Sequence, residues 1–177
     1  MTFRKPVLGF AACSGTGKTT LLVRLIPFLE QRGVYVALIK HAHHDFDIDK
    51  PGKDSYELRK AGARQVLIAS DRRSALITEN AESKEPRLDD LVTQLALDAV
   101  DLVLVEGFRH VPFSKIELHR PSLKHPLLCH EDASIIAVAT DVHLNTEPLP
   151  RLDLNDVAMI GDFILAWLSE RSHERAN

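Results

Sequence analysis

The sequence predicts an α/β fold in which a mainly parallel sheet lies between two layers of helices. Short, almost wholly apolar segments alternate along the 177 residues with segments whose apolar residues recur at helical spacing. Apolar segments of this kind are typical of strands buried on both faces of a parallel sheet. A pair of strand-like segments near the middle of the chain indicates one antiparallel hairpin, which we expect at an edge of the sheet.

The first part of the chain has the pattern strand, helix, strand. Residues 6–12 are nearly all apolar and predict the first strand. Residues 18–32 carry leucines at helical spacing, and we expect Pro27 to kink or end this helix and Gly33 to follow its last turn. Residues 34–40 predict the second strand.

A polar, acidic loop and a hairpin come next. The loop covers residues 41–53, and Asp54 or Ser55 is expected to cap a short helix after it. Residues 65–69 and 74–78 flank a polar connection and predict the hairpin.

The rest of the chain continues the alternation. The predicted elements are a helix over 88–97, strands over 101–105, 115–119 and 135–139, and a helix over 157–168, with a polar tail from about residue 170. Because strands and helices alternate without an internal repeat, we expect residues 1–177 to form a single domain.

Composition argues against several classes of protein. The chain is 45% hydrophobic and 27% charged, as in ordinary globular domains. Its formal charge of −3 gives no basic surplus for nucleic acid, and no apolar run approaches the roughly 18 residues of a membrane span. Cys13 and Cys129 form no metal-type pair, and the first residues carry no signal-peptide pattern. We therefore expect a cytoplasmic protein with no nucleic-acid partner and no membrane segment.

A glycine-rich segment, Ala12-Cys-Ser-Gly-Thr-Gly-Lys-Thr19, lies between the first strand and the first helix. Strand, loop and helix in this order match the Walker A motif, with Ala12 where the pattern has glycine. Backbone N–H groups and the helix N-terminus would bind the phosphates of a nucleoside triphosphate. The Lys18 amine would contact the β- and γ-phosphates, and the Thr19 hydroxyl would bind Mg²⁺. The predicted nucleotide-binding residues are Ser14, Gly15, Thr16, Gly17, Lys18, Thr19 and Thr20. The fold class is therefore that of a three-layer P-loop NTPase.

An acidic residue for the metal is expected at the end of a neighbouring strand. Glu106 follows the apolar run Leu102–Val105 at its carboxyl end, where ligands of parallel sheets bind. Asp101 lies at the opposite end of the same strand and is interpreted as a solvated residue. Glu106 is therefore the predicted second Mg²⁺ ligand and, with Lys18, a catalytic residue.

The loop after the second strand is rich in histidine and aspartate. His41, His43 and His44 stand near Asp45 and Asp47, without the spacing of a zinc site. Three hypotheses stay open for this loop: a transition-metal site, a switch-like segment that meets Mg²⁺, γ-phosphate or substrate, and a solvated loop.

Several of these segments together resemble the MobB family, the GTP-binding adapter proteins of molybdopterin guanine dinucleotide biosynthesis. The matching segments are 12–20, 40–44, 51–55, 59–62 and 105–108. The resemblance implies a P-loop homodimer that binds GTP, hydrolyses it weakly and works with the guanylyltransferase that attaches GMP to molybdopterin. The Thr140-Asp141 pair resembles a guanine-recognition position, with the Asp141 carboxylate accepting from N1 and N2 of the base. A strand-end cap is the alternative interpretation of Asp141.

Residues that activate water are harder to assign. Asp45, Asp54 and His44 are candidates for positioning the attacking water, and Arg59 or Arg109 for stabilising the transition state. Asp54 is the predicted third catalytic residue. Two other functions remain open on the same scaffold: a small-molecule kinase or ATP-dependent ligase, and a metallochaperone GTPase that uses the histidine loop.

Overall fold

The computed structural model describes residues 3–42 and 46–176 of the chain. The strands are β1 (Val7–Ala12), β2 (Val36–Lys40), β3 (Gln65–Ala69), β4 (Ser74–Thr78), β5 (Leu102–Glu106), β6 (Lys115–His119), β7 (Ile135–Thr140) and β8 (Arg151–Asp153). The helices are α1 (Lys18–Glu30), α2 (Asp54–Lys60), α3 (Leu88–Thr93) and α4 (Val157–Ala176). Short 3₁₀ turns cover Leu97–Ala99, Pro121–Leu123 and Leu128–His130. No helix in the described part of the chain is long and apolar enough to span a bilayer.

Six strands form one sheet in the order β2-β5-β1-β6-β7-β8. Every neighbouring pair is parallel. The predicted α/β class with a parallel sheet is confirmed. The hairpin β3-β4 is also present, but it forms a two-stranded sheet of its own instead of extending the edge of the main sheet. The short edge strand β8 was not predicted, because its three residues are too few to show a periodic pattern.

The described chain divides into two compact units. The first comprises residues 1–41 and 88–177 and contains the six-stranded sheet, and the second comprises residues 42–87 and contains α2 and the hairpin. The single domain expected for the whole sequence stays a prediction.

Helices cover both faces of the main sheet. Alternate residues of β1 and β5 belong to two separate apolar clusters. On one face, Leu8 and Leu104 pack in a cluster with α1 and α4. On the other, Val7 and Val103 pack in a cluster with α3. The strands are thus buried on both faces, as their almost continuous apolar sequence predicts.

Helix α1 continues past Pro27, which therefore does not end it, and stops at Glu30 with Gln31 as its C-cap, slightly before the predicted end at residue 32. The Gly33 N–H donates to the carbonyl of Glu30, and the Val34 N–H donates to the carbonyl of Leu29. Gly33 has a φ of 78°, the left-handed conformation that commonly follows the last helical turn.

Two predicted helix ends are corrected. Neither Asp54 nor Ser55 caps α2: Lys53 is the N-cap and Asp54 is the first helical residue, where its negative charge suits the helix N-terminus. The polar segment expected as a tail from about residue 170 is helical, since α4 continues to Ala176. The charged residues and the alanine of this segment have good helix propensity, so the helix continues although the segment has no apolar face.

Strand β6 alternates polar and apolar residues, a pattern that predicts one solvated face, yet all five residues are buried. The Lys115 amine lies 2.9 Å from the Asp132 carboxylate and donates to the carbonyl of Val111. Burial raises the pKa of Asp132, but hydrogen bonds from Ser134 and Lys115 outweigh this effect and leave the pKa below its ordinary value. Polar partners supplied by distant segments explain how β6 lies inside the sheet.

Candidate functional site

The carboxyl ends of four parallel strands lie along one edge of the main sheet. The strand register places Phe10 of β1 beside Glu106 of β5, and Ala12 of β1 beside Leu118 of β6. His119 at the end of β6 lies beside Thr140 at the end of β7. The loops that follow these strands are therefore neighbours, as expected for the ligand crevice of an open α/β sheet.

The loop between β1 and α1 has the backbone geometry of a phosphate-binding loop. Gly15 and Gly17 have φ angles of 79° and 101°, which L-residues rarely adopt. The buried Thr16 hydroxyl donates to the carbonyl of Cys13 at 2.7 Å and closes the turn between them. Within the described residues, no side-chain hydrogen bond caps α1 at Gly17, so a bound anion can use the free N–H groups of the first helical turn.

The side chains of this loop are arranged for polyphosphate and a metal ion. Lys18 is the first residue of α1, and its amine donates to the carbonyl of Ala12 at 3.2 Å, across the mouth of the loop. Ser14, Thr19 and Thr20 are exposed, and their hydroxyl groups are open to solvent or ligand. Four of the predicted loop residues thus offer polar side chains to one small region of the surface.

Glu106 ends β5 at the same edge of the sheet. Its half-buried carboxylate lies 3.7 Å from the amine of Lys40, the last residue of β2. A carboxylate at this position is a suitable oxygen ligand for Mg²⁺. Asp101, at the other end of β5, instead accepts a hydrogen bond from the Tyr35 N–H at 2.9 Å.

The turn after Glu106 is held against the end of β2. Gly107 and Phe108 both have positive φ angles, of 101° and 53°. A Cβ atom on Gly107 would lie 2.5 Å from the Cβ of His41, and the His41 ring stacks on the Phe108 ring with centroids 4.7 Å apart. These contacts fix the backbone direction immediately after the candidate metal ligand.

Asp141 directly follows β7, and its carboxylate is contacted by Arg120, a residue that no sequence motif indicates. Arg120 directly follows β6, and its Nη1 donates to Asp141 Oδ2 at 2.5 Å. Its Nε donates to the carbonyl of Thr16 at 2.9 Å. The sequence shows only that Arg120 is a basic residue just after a short strand-like segment. The structure shows that this segment, β6, is a buried inner strand, so that Arg120 lies at the carboxyl edge of the sheet.

The second unit contains two residues that the sequence suggested for catalysis. Asp54 begins α2 and is exposed. Arg59 of the same helix donates to Glu79 at 2.6 Å and to Asp47 at 2.5 Å, and only 8% of its side chain is exposed. Hydrogen bonds to Glu79 and Asp47 raise the pKa of Arg59. Arg59 therefore connects the loop before α2 to the end of β4. Its suggested role in the transition state stays a prediction.

The histidine loop is described only in part. His41 stacks on Phe108, whereas His43, His44 and Asp45 lie outside the described residues. Across residues 3–42 and 46–176, no cluster of three or more histidine, cysteine, aspartate or glutamate side chains is arranged to hold a metal ion.

The pKa of the Cys129 thiol is raised above its ordinary value. Burial is the largest cause, and the nearby Glu117 carboxylate adds to it. A raised pKa fits a structural role for this cysteine.

A parallel sheet, a glycine loop that leads into a helix, and an acidic residue at the end of the adjacent strand define a P-loop nucleotide-binding protein. The family model for "Molybdopterin guanine dinucleotide synthesis protein B" matches residues 7–141. The chain belongs to this family, MobB.

Curated relatives support the assignment over nearly the whole chain. The molybdopterin-guanine dinucleotide biosynthesis adapter protein of Escherichia coli K12 is 51% identical over 94% of this chain and 95% of that protein. The adapter protein of the same name from Haemophilus influenzae is 45% identical over 92% of this chain and 89% of that protein.

Solved structures agree with the fold. A crystal structure of molybdopterin-guanine biosynthesis protein B has a TM-score of 0.70 and 28% identity, covering 91% of this chain and 99% of that one. The structure of Bacillus subtilis MobB has a TM-score of 0.72 over 91% of this chain and 96% of that one. At 21% identity, the second likeness supports the fold alone.

Proposed function

We propose that this chain is a GTP-binding adapter with weak intrinsic GTPase activity that assists the biosynthesis of molybdopterin guanine dinucleotide. The observation that carries the proposal is the phosphate-loop geometry, with two left-handed glycines before a helix that begins at Lys18. The family and the names of the curated relatives supply the pathway.

The residue roles follow from the chemistry of phosphoryl transfer. The Lys18 amine and the loop N–H groups stabilise charge on the β- and γ-phosphates. Thr19 and Glu106 bind Mg²⁺, which neutralises phosphate charge and orients the γ-phosphate when bound. Asp141 recognises guanine through its carboxylate. Asp54 is the proposed catalytic residue of the second unit.

Hydrolysis is proposed to be slow for a specific reason. The transition state needs a positioned water and a cation near the γ-phosphate in addition to Lys18. Arg59 already pairs with Glu79 and Asp47, and Arg109 is an exposed surface arginine. Without such help, P-loop hydrolysis runs at roughly 10⁻⁴ per second. A partner protein would therefore have to complete the site.

The proposed partners are the guanylyltransferase that attaches GMP to molybdopterin and a second copy of this chain, in the cytoplasm. The second unit supports an interface because several of its large apolar side chains are exposed, and two of them, Leu67 and Leu76, are direct partners across the hairpin. The exposed apolar side chains of this unit are Phe46, Ile48, Leu58, Leu67, Ile68 and Leu76. A homodimer is the proposed assembly.

The proposal is tested by GTP hydrolysis and partner binding together. Under single-turnover conditions, the parent is expected to hydrolyse GTP at a rate of roughly 10⁻⁴ per second and Lys18→Ala at least about tenfold more slowly. Lys5→Ala, which removes a lysine before the amino end of β1, is the matched control. Binding of the parent to immobilised guanylyltransferase should strengthen when GTP is added. Hydrolysis by Lys18→Ala at the parent rate, or no binding to the transferase with or without GTP, would contradict the proposal.

A further inference from the structure

Arg120 connects three loops at the carboxyl edge of the sheet. Its Nε donates to the carbonyl of Thr16 in the phosphate loop at 2.9 Å, and its Nη1 donates to Asp141 Oδ2 at 2.5 Å. Its Nη2 lies 3.4 Å from Asn155 Oδ1 in the turn after β8. The Arg120 and Asp141 side chains are only 29% and 23% exposed, so water screens their charges less than at an open surface.

The contact with Thr16 has a geometric consequence for the phosphate loop. In a trans peptide the carbonyl oxygen and the N–H of the following residue point in opposite directions. Because Arg120 holds the Thr16 carbonyl, the Gly17 N–H points away from the guanidinium. Gly17 itself lies against the arginine, since a Cβ added there would be 3.9 Å from Nη2. Arg120 thus orients one of the N–H groups that are proposed to bind phosphate.

The contact with Asp141 fixes a carboxylate without saturating it. A carboxylate has about four acceptor positions on its two oxygens, and the hydrogen bond from Arg120 occupies one of them. The remaining positions can accept two N–H groups from a ligand. A guanidinium offers several N–H groups in one rigid plane, which a lysine amine cannot reproduce, so Arg120 can hold the phosphate loop and Asp141 at the same time.

We propose that Arg120 is a positioning residue that sets nucleobase selectivity by holding the Asp141 carboxylate in a fixed orientation relative to the phosphate loop. This inference rests on the proposed function, in which Asp141 recognises guanine. It assigns to one side chain the coupling between base recognition and phosphate binding. ATP shares the phosphates of GTP but lacks the N1–H and 2-amino groups, so the loss of this coupling should affect GTP more than ATP.

The test compares the affinities of Mg·GTP and Mg·ATP for the parent, Arg120→Ala, Arg120→Lys, Asp141→Asn and the double variant Arg120→Ala with Asp141→Asn. Arg151→Ala, at an exposed arginine of β8, is the matched control, and thermal unfolding shows whether each variant is folded. The ratio of the GTP and ATP affinities is the readout. A general loosening of the phosphate loop would weaken the binding of both nucleotides equally and would leave this ratio unchanged.

Arg120→Ala is expected to lower the preference for GTP over ATP about tenfold, and Arg120→Lys by a smaller factor. In the Asp141→Asn background, Arg120→Ala should change the ratio little, because the group that it positions is gone. If Asp141→Asn changes the ratio while Arg120→Ala and Arg120→Lys leave it at the parent value, the inference is overturned and the proposed function stands. A parent chain without a preference for GTP overturns the base recognition and the inference together.

Discussion

Glu106 ends β5 with its carboxylate half-buried and 3.7 Å from the Lys40 amine. Glu106→Gln keeps the shape of the side chain but removes the charge that attracts Mg²⁺. We expect the Mg²⁺ concentration needed for half-maximal GTP binding to rise about tenfold or more. A titration of Mg²⁺ against a fluorescent GTP analogue measures it.

Asp101→Asn is the control for this prediction, since Asp101 lies at the opposite end of the same strand and accepts the Tyr35 N–H. Its Mg²⁺ dependence should match that of the parent. Equal shifts in the two variants would remove the metal role from Glu106.

Asp141 is a second single residue with a testable role, because its carboxylate is proposed to select the base. Asp141→Asn replaces two acceptor oxygens by one acceptor and one donor group. The variant should lose affinity for GTP and gain affinity for XTP, with a change in the GTP/XTP ratio of at least about tenfold. Competition binding of the two nucleotides measures this ratio. An unchanged ratio would leave Asp141 as a strand-end residue with no part in base recognition.

What the sequence predicts for single residues depends on whether their partners are local. Residues 12–19 carry their own pattern, so the phosphate loop could be described from the sequence alone. The contact from Arg120 to Thr16 joins residues 104 positions apart, and no local pattern contains it. The same holds for the ion pair of Lys115 with Asp132, which comes from a different segment.

The packing of α1 against α4 is tight enough to test at the level of elements. Gly161 of α4 is buried, and a Cβ atom there would lie 2.1 Å from Cε1 of Phe28 on α1. Alanine favours helices over glycine by about 1 kcal/mol, but here it must displace a ring in a packed cluster. We expect Gly161→Ala to lower the free energy of unfolding by about 1–3 kcal/mol.

Urea unfolding of the parent, Gly161→Ala and the double variant Gly161→Ala with Phe28→Leu decides this point. The smaller leucine side chain leaves room for the new methyl group, so the double variant should be more stable than Gly161→Ala. A Gly161→Ala protein as stable as the parent would show that the two helices separate at little cost.

Most elements were predictable because their apolar periodicity is strong, and the exceptions have physical causes. The hairpin β3-β4 is predicted by two apolar runs around a short polar connection. That these two strands pair only with each other, and not with the main sheet, depends on tertiary structure that a local pattern does not contain. The residues from about 170 onward were expected as a tail because they lack an apolar face, yet α4 continues through them to Ala176. Helix propensity and an already formed helix are sufficient there.

The second unit is the part of the molecule in which the proposed homodimer can be tested. Leu67 and Leu76 are direct partners across the hairpin, share one face, and are 66% and 57% exposed. If this face meets a second copy, charged residues there should prevent association. The parent should sediment at twice the 19.8 kDa chain mass, and Leu67→Lys with Leu76→Lys at the mass of one chain.

Val23→Lys, at an exposed apolar residue of α1 that is 67% accessible, is the control and should remain dimeric. A parent that sediments as one chain at micromolar concentration would contradict the homodimer. A double lysine variant that stays dimeric would show that the interface lies on another surface.

For the whole molecule, the central claim is that residues 12–19 bind the triphosphate of a nucleotide. Calorimetric titration of Mg·GTP into the parent and into Lys18→Ala tests it most directly. We expect one nucleotide per chain for the parent and an affinity roughly 10- to 150-fold weaker for Lys18→Ala, because a charge-assisted hydrogen bond contributes about 1.5–3 kcal/mol. Equal affinities for the two proteins, or no heat of binding to the parent at millimolar Mg·GTP, would contradict the claim.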